Sequence, residues 1–198
     1  MATTTAEASL LYEAHASLRH NRAIYFEKNG FGDGGYEDSW VTLKKVGPIN
    51  LGIPNTESRK RAIRLHDLHH VLAQYGTDWT GEGEIGSWEI GAGCGTHWAA
   101  WFLNASAMSF GVFIAPQACY RAFVRGRHAR SLYDREWNEA LLDETTGEMR
   151  KKLGLDAETP PATLGDKVAF AAWAIGAPTF FYGPLLIPVG LVVRALVG

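Results

Sequence analysis

The chain has 198 residues, with 19 Lys and Arg against 21 Asp and Glu, and therefore a formal net charge of −2. This near balance excludes a general polyanion-binding protein, because affinity for nucleic acid requires a basic surplus or a concentrated basic face. A composition of 20% charged and 46% hydrophobic residues excludes intrinsic disorder. The length is that of one domain with a small appendage, and we expect no nucleic-acid partner.

The first part of the chain predicts an amphipathic helix, a loop and a short hairpin. Apolar residues recur at helical spacing over 6–28, and a glycine-rich loop at 30–35 then breaks the pattern. Residues 36–53 are typical of a single β-hairpin. A helix then begins near Thr56 or Ser58, both good N-caps, and ends at Gly76.

The second part alternates uncharged and charged segments. A further helix begins near Thr80 and ends in the glycine-rich segment 90–95. A long uncharged run follows Thr96 and stops at Pro116, and a helix that is hydrophobic all round is either central in a bundle or lipid-facing. Residues 131–155 are rich in paired charges and predict more helix, with an internal weak point at Thr145-Thr146-Gly147.

The C-terminal part predicts a linker over 156–166 and an apolar tail. Residues 168–193 contain no Asp, Glu, Lys or Arg and are long enough to span a bilayer. Proline interrupts regular helix, so we expect the tail to be broken into pieces by its three prolines, Pro178, Pro184 and Pro188.

Together these elements predict an all-α protein, with antiparallel helices that carry the site and an apolar C-terminal tail. We expect a helical domain over 1–155, and over 156–198 a linker and an apolar segment that packs on the domain or on a membrane. The N-terminus has no basic region followed by an apolar run, so neither a signal peptide nor a transit peptide is predicted. Cys94 and Cys119 are expected as small core residues rather than a disulfide.

The most informative stretch is 64–89, where four side chains have the chemistry of metal ligands. His66 and His70 are four residues apart, so on a helix they project from one face. Asp67 flanks that face and can ligate directly or orient an imidazole from behind. Glu82 can reach back from the next helix, because a short link makes the two helices antiparallel neighbours.

This donor set suits zinc, iron or manganese better than calcium or magnesium, which prefer all-oxygen sites. A solvated histidine pair, with Glu82 favoured only by the helix dipole, is the alternative. Glu89 lies seven residues after Glu82 on the same helix face and could act as a general base, or could simply be a partly buried acid. His69 points about 100° away from His70 and is interpreted as a bystander or outer donor.

The pattern HDxxHx(11)E resembles the signature of the coenzyme Q (ubiquinone) biosynthesis family of the fourth Coq protein. All four positions match at the family's spacing, and they are His66, Asp67, His70 and Glu82. A downstream charged segment is also similar, through Tyr133, Trp137 and Leu153-Gly154. The resemblance covers about residues 60–155. The glycine-rich loop and the apolar tail depart from the family, which leaves open a divergent paralogue with another substrate.

The resemblance implies an all-α protein that associates peripherally with membranes and handles prenylated hydroxybenzoate precursors. The family is credited with replacing the C1 carboxyl of the ring by a hydroxyl, and with organising other pathway enzymes. It implies a divalent metal, zinc first and iron, cobalt or manganese next. The ligands would be His66, Asp67, His70 and Glu82, and we take Asp67, Glu82 and Glu89 as candidate catalytic residues. We expect a homo-oligomer in the cytoplasm, on the inner face of the membrane.

Arg121 and Arg125 directly follow the uncharged run. They suit an anionic membrane surface or the phosphate of a prenyl lipid, or they form a solvated face neutralised by nearby acids.

Two other functions stay open. An HD-type phosphohydrolase would need an upstream His and a downstream Asp, for which the candidates are His20 with Asp134 or Asp143. A non-enzymatic prenyl-lipid-binding scaffold would use the metal structurally.

Overall fold

The structure is a computed structural model that describes residues 12–46 and 49–197; for 42–46, 49–53 and 185–197 it describes the backbone alone. It is predominantly helical, as the sequence predicts. The elements in chain order are α1 (Leu18–Asn29), β1 (Trp40–Val46), β2 (Ile49–Pro54), α2 (Glu57–Ala73), α3 (Trp79–Ala92), α4 (Trp98–Ile114), α5 (Pro116–Arg127), a 3-10 turn (Leu132–Asp134), α6 (Glu139–Asp143), α7 (Thr146–Leu153) and α8 (Leu164–Val197).

The chain divides into two units. The first comprises α1, the hairpin, α2, the 3-10 turn, α6 and α7, and the second comprises α3, α4, α5 and α8. In the first unit, β1 and β2 pair antiparallel, which confirms the predicted hairpin, although its turn at 47–48 lies outside the described residues. In the second unit both cysteines are buried and free, as expected.

Helix α1 is shorter than the sequence predicts. Ser17 is its N-cap and accepts a hydrogen bond from the His20 backbone N–H, so residues 12–16 precede the helix. The remainder of the predicted segment, before residue 12, lies outside the described residues. A side chain that satisfies the first orphan N–H groups competes with further helical extension, which is a local effect that apolar spacing does not reveal.

Helix α2 begins and ends close to the predicted positions. Thr56 caps it by accepting from the Arg59 backbone N–H. The helix stops at Gln74, which adopts a left-handed conformation with φ 63°, two residues before the predicted Gly76. Its buried apolar face includes Leu65 and Leu68, both less than 2% exposed. That packing fixes the rotation of the helix, and with it the side from which the histidines project.

The charged segment 131–155 is not one helix. Asn138 accepts from the Leu141 backbone N–H and begins α6, while Thr145 accepts from the Glu148 backbone N–H and begins α7. These two caps divide the segment into short helices. Arg150 then anchors α7 to α2, because its buried guanidinium donates to the Leu72 carbonyl at the end of α2.

Glycines allow the helices of the second unit to pack at backbone distance. A Cβ placed on Gly83 in α3 would lie 2.7 Å from the Gly111 Cα in α4. A Cβ on Gly126 in α5 would lie 2.1 Å from the Trp88 carbonyl oxygen in α3. Any larger residue at these crossings would have to push backbone apart.

Helix α8 contradicts the prediction of a tail broken by prolines, because its backbone continues through Pro178, Pro184 and Pro188. A proline costs a helix one backbone donor, so Pro178 removes the helical donor of the Ala174 carbonyl while the other hydrogen bonds of the helix continue. The adjacent Thr179 hydroxyl donates to the Ile175 carbonyl at 2.7 Å and does not replace that bond. Over the described residues, no helix combines the length and apolar character needed to cross a membrane.

Candidate functional site

His66 and His70 converge on one side of α2. They are one helical turn apart, their Nε2 atoms lie 3.2 Å from each other, and the rings meet edge to face at 89°. His70 is buried, with 1% of its surface exposed, and His66 is half-buried. Two imidazole nitrogens at this separation point at a common volume, which is the arrangement that two ligands of one metal ion require.

A buried aromatic ring holds His70 in place. Tyr25 of α1 stacks on the His70 imidazole with ring centroids 5.4 Å apart and planes inclined by 21°. Tyr25 is 2% exposed and belongs to a core cluster with Phe26 and Val71. The imidazole is therefore held by packing, which reduces the side-chain entropy that metal binding would otherwise cost.

Asp67 faces a different partner from the histidines. It is buried and accepts a hydrogen bond at Oδ2 from the Tyr36 hydroxyl, 2.5 Å away. Burial, reinforced by the negative charge of Asp67, raises the pKa of Tyr36 far above its usual value. The phenol therefore remains protonated and keeps donating to the carboxylate at any ordinary pH.

Two arginines surround Tyr36. The Arg64 guanidinium lies 5.2 Å from the centre of the Tyr36 ring and 5.8 Å from that of Trp137, and the Arg22 guanidinium lies 5.1 Å from the Trp137 ring. Trp137, which the sequence marks only through the family resemblance, is thus held between two cations. Tyr25 and Tyr36 were not singled out, because Tyr25 belongs to an ordinary apolar helix face and Tyr36 follows a loop without periodicity.

His69 has a structural role that the sequence did not indicate. It is fully buried, and its Nε2 accepts a hydrogen bond from the Leu132 backbone N–H at 2.8 Å. Its ring also meets Tyr133 edge to face at 5.1 Å. With Nε2 as the acceptor, the neutral ring carries its proton on Nδ1. His69 therefore fixes the 3-10 turn against α2, and the prediction of a bystander is incomplete.

In the second unit, helix α3 carries the remaining predicted acids. Asp78 caps it by accepting from the Gly81 backbone N–H at 2.7 Å, and this places Glu82, which is half-buried, in the first turn. Glu89 is fully buried, and the Asn104 side chain of α4 donates to it. Glu89 is thus bound into the interior of the unit, and its proposed work as a general base stays a prediction.

A possible three-ligand group for a metal ion consists of His66 and His70, which belong to the first unit, and Glu82, which belongs to the second; that the three bind one ion together stays a prediction. Two neutral imidazoles and one carboxylate fit zinc, and they also fit iron, cobalt or manganese. Asp67 is outside this group, so its role as a ligand stays a prediction. Its alternative role, in which it orients a neighbouring imidazole, also stays a prediction.

Arg121 and Arg125 line a cavity of about 420 Å³ within the second unit. The Arg125 guanidinium lies 5.5 Å from the centre of the Tyr75 ring. Burial raises the pKa of the Glu84 carboxyl in the same cavity, and the positive charge of Arg121 opposes that shift. The cavity therefore brings two cations and one acid together.

A second, apolar cavity of about 570 Å³ lies between α4 and α8. Trp101 and Trp173 stack in its wall with planes 7° apart and centroids 5.8 Å apart, and Phe102 meets Phe181 edge to face.

No protein-family model, curated protein or solved structure matches this chain. The resemblance to the coenzyme Q biosynthesis family therefore stays a prediction.

Proposed function

We propose that this protein is a metal-dependent enzyme of quinone-lipid biosynthesis that replaces the ring C1 carboxyl of a prenylated hydroxybenzoate by a hydroxyl. The observation that carries the proposal is the convergence of the His66 and His70 Nε2 atoms, 3.2 Å apart on a half-buried helix face. His70 is buried and has the Tyr25 ring stacked on it, and the buried Asp67 carboxylate lies on the same helix. These surroundings favour the interpretation of His66 and His70 as metal ligands over that of a solvated histidine pair.

In this proposal His66, His70 and Glu82 hold the metal, and Asp67 supports the His70 imidazole, which is three residues later on the same flank of α2. The metal, when bound, supplies a Lewis acid for the carboxylate of the aromatic acid. Tyr25 keeps the His70 imidazole from rotating, and the Tyr36 hydroxyl donates a hydrogen bond to Asp67 Oδ2 that fixes the direction of that carboxylate. These residues would position the ligands and would not themselves touch the substrate.

The reaction is a two-electron oxidation, so it needs an oxidant, for which we take dioxygen. The bond between the ring carbon and the carboxyl carbon breaks, and carbon dioxide leaves. A new bond forms between the same ring carbon and a hydroxyl oxygen taken from water. The two electrons and two protons go to dioxygen, which becomes hydrogen peroxide. An aromatic acid, water and dioxygen thus give a phenol, carbon dioxide and hydrogen peroxide.

The apolar cavity between α4 and α8 supports a hydrophobic substrate. Its walls of tryptophan and phenylalanine would accept a prenyl chain, since burial of apolar surface is favourable at roughly 25 cal/mol per Å². Large apolar side chains are also exposed on these helices, including Trp98 at 64% and Phe180 at 67%. We propose that this face contacts the inner surface of the cytoplasmic membrane, and that the protein acts as a homo-oligomer beside other enzymes of the pathway.

The proposal is tested by the metal content of gently purified protein, measured for the wild type, His70→Ala and the matched control His20→Ala. We expect the wild type and His20→Ala to retain the metal and His70→Ala to lose it, because His20 lies on the surface of α1. Equal metal content in the wild type and His70→Ala would contradict the site. Loss of the metal in His20→Ala would favour the phosphohydrolase, in which that residue is a ligand.

The reaction itself is tested with a short-chain prenylated 4-hydroxybenzoate under air, with mass spectrometry of the products. We expect the phenol to form with wild-type protein and with His20→Ala, and not with His70→Ala. If the protein binds metal and prenyl lipid but forms no product, the enzymatic function is contradicted. The non-enzymatic prenyl-lipid-binding scaffold would then be favoured. Hydrolysis of a generic phosphodiester that is lost in Asp67→Ala would replace our proposal by a phosphohydrolase.

A further inference from the structure

The cavity that contains Arg121 and Arg125 is built from three separate segments of the second unit. The two arginines are four residues apart on α5 and therefore lie on one face of that helix. Tyr75 precedes α3, and Glu84 lies within it. The segment around Thr159, next to the rigid pair Pro160-Pro161, forms a further wall. Convergence of distant segments on one volume distinguishes this cavity from a groove along a single helix.

The lining carries a positive surplus. The charged side chains in it are two guanidiniums and the Glu84 carboxyl, so one positive charge is left over when all three are ionised. Arg125 is half-buried, and a partly desolvated guanidinium interacts more strongly with an anion than an exposed one does. Guanidinium groups also match the planar geometry of carboxylates and the oxygens of phosphates.

The remainder of the lining is apolar or aromatic. Tyr75 and Tyr120 contribute rings, and Ala122, Val124 and Ala162 contribute small aliphatic side chains. A volume of about 420 Å³ is within the range of sites for small organic molecules and is too large for a bare inorganic anion alone. The shape and lining therefore suit a small molecule with an apolar body and one anionic group.

This cavity is distinct from the proposed metal position of Glu82. Glu84, which lines the cavity, is two residues after Glu82 on α3, and two residues correspond to a rotation of about 200° around a helix. The two carboxylates thus leave opposite sides of α3. A ligand of this cavity would therefore bind on the side of α3 away from Glu82.

The geometry points to a second ligand site in this protein, which binds a small organic anion between Arg121 and Arg125. The anionic group, a carboxylate or a phosphate, lies against the two guanidiniums, and the apolar body lies along the tyrosine rings. The inference does not depend on the proposed metal enzyme, because no metal ligand takes part in it.

The test is isothermal titration calorimetry of the full chain with benzoate, its neutral isostere benzamide, and inorganic phosphate, each in the presence and in the absence of a chelator. We expect saturable binding of benzoate, with benzamide and inorganic phosphate each weaker by about tenfold or more. Benzamide that binds as tightly as benzoate would overturn the anion site. Inorganic phosphate that binds as tightly would overturn the role of the apolar body, and loss of benzoate binding on chelation alone would overturn its independence of the metal.

Charge-matched variants locate the site. We expect Arg125→Gln and Arg121→Gln to weaken benzoate about tenfold, since each removes a charged hydrogen-bond donor. Arg130→Gln removes an equal charge from an exposed position outside the cavity and should leave the affinity unchanged. Glu84→Gln should tighten benzoate by about threefold or more, because it removes the opposing charge, and misfolding would not cause such a gain. Equal affinity in Arg125→Gln, Arg130→Gln and the wild type would overturn the assignment.

Discussion

The Tyr25 ring stacks on the His70 imidazole at 5.4 Å, while the His70 Nε2 atom lies 3.2 Å from that of His66. One side of the imidazole is thus occupied by a buried aromatic ring, and its edge points to the neighbouring histidine. The orientation of His70 is set by the core of the first unit, in which Tyr25 packs with Phe26 and Val71. Stability of this core and metal affinity should therefore be coupled.

Removal of the hydroxyl that Asp67 accepts should affect both properties. In Tyr36→Phe the buried carboxylate loses its donor, which costs about 1–3 kcal/mol of unfolding free energy. Loss of a partner behind the metal ligands should also weaken metal binding by about 10–100-fold. Tyr182→Phe, which removes a hydroxyl that contacts Ser109 in the second unit, is the control. Unchanged metal affinity in Tyr36→Phe would contradict the positioning role of Asp67.

His69 should matter for stability and not for metal binding. In His69→Leu the buried Leu132 N–H loses its acceptor, so we expect a loss of about 1–3 kcal/mol in denaturant unfolding. His69→Gln retains a side-chain acceptor and should be less damaging. His15→Ala changes a histidine whose side chain is 86% exposed and should be neutral. If His69→Leu unfolds like the wild type, the hydrogen bond to the 3-10 turn contributes nothing.

The close backbone contact between α3 and α4 should make the addition of a single methyl group destabilising. A Cβ on Gly83 would lie 2.7 Å from the Gly111 Cα, so Gly83→Ala should lower the unfolding free energy by about 1–3 kcal/mol. Gly176→Ala is the matched control, because no atom lies within 4 Å of its Cβ position and alanine favours helix. A neutral or stabilising effect is expected there. Equal thermal midpoints for the two variants would contradict the close packing.

The start of α8 should depend on pH through Asp166. Hydrogen bonds from the Thr163 hydroxyl and backbone N–H, and from Arg127, lower the pKa of Asp166 to about 2 from its usual 3.8. Because the folded pKa is depressed, the stabilisation is present above about pH 4 and is lost as the pH falls towards 2. The thermal midpoint of Asp166→Asn should therefore lie below that of the wild type at pH 6, with the difference vanishing near pH 2. A difference that stays constant over this range would contradict the assignment.

Local signals in the sequence located much of this fold. The spacing of His66 and His70 and the cap at Thr56 are properties of a few adjacent residues, and both are found in the structure. The break at Asn138 was missed because a cap competes with helix propensity through one hydrogen bond. Proline rules do not predict the continuation of α8 through Pro178, because they describe an isolated helix, whereas α8 packs on α4, where Trp173 stacks on Trp101.

The partners of the site residues were beyond the reach of sequence patterns. Tyr36 is 31 residues from Asp67, and His69 is 63 residues from Leu132. Such pairs depend on how distant segments of the chain pack together, and a single sequence contains no pattern that predicts this packing. The histidine ligands could be predicted from the sequence because His66 and His70 are four residues apart on one helix. The side chains that orient these ligands come from other parts of the tertiary fold.

The most direct test of the proposed metal site is a titration of metal-free protein with cobalt(II), followed by visible absorption. Cobalt fits a site of two imidazoles and a carboxylate and reports its own coordination. We predict a saturable absorption band at one equivalent for the wild type and for His20→Ala. The band should be absent in His70→Ala and, in Glu82→Gln, should require about tenfold or more cobalt for saturation. A band of equal strength and affinity in the wild type and His70→Ala would contradict the account.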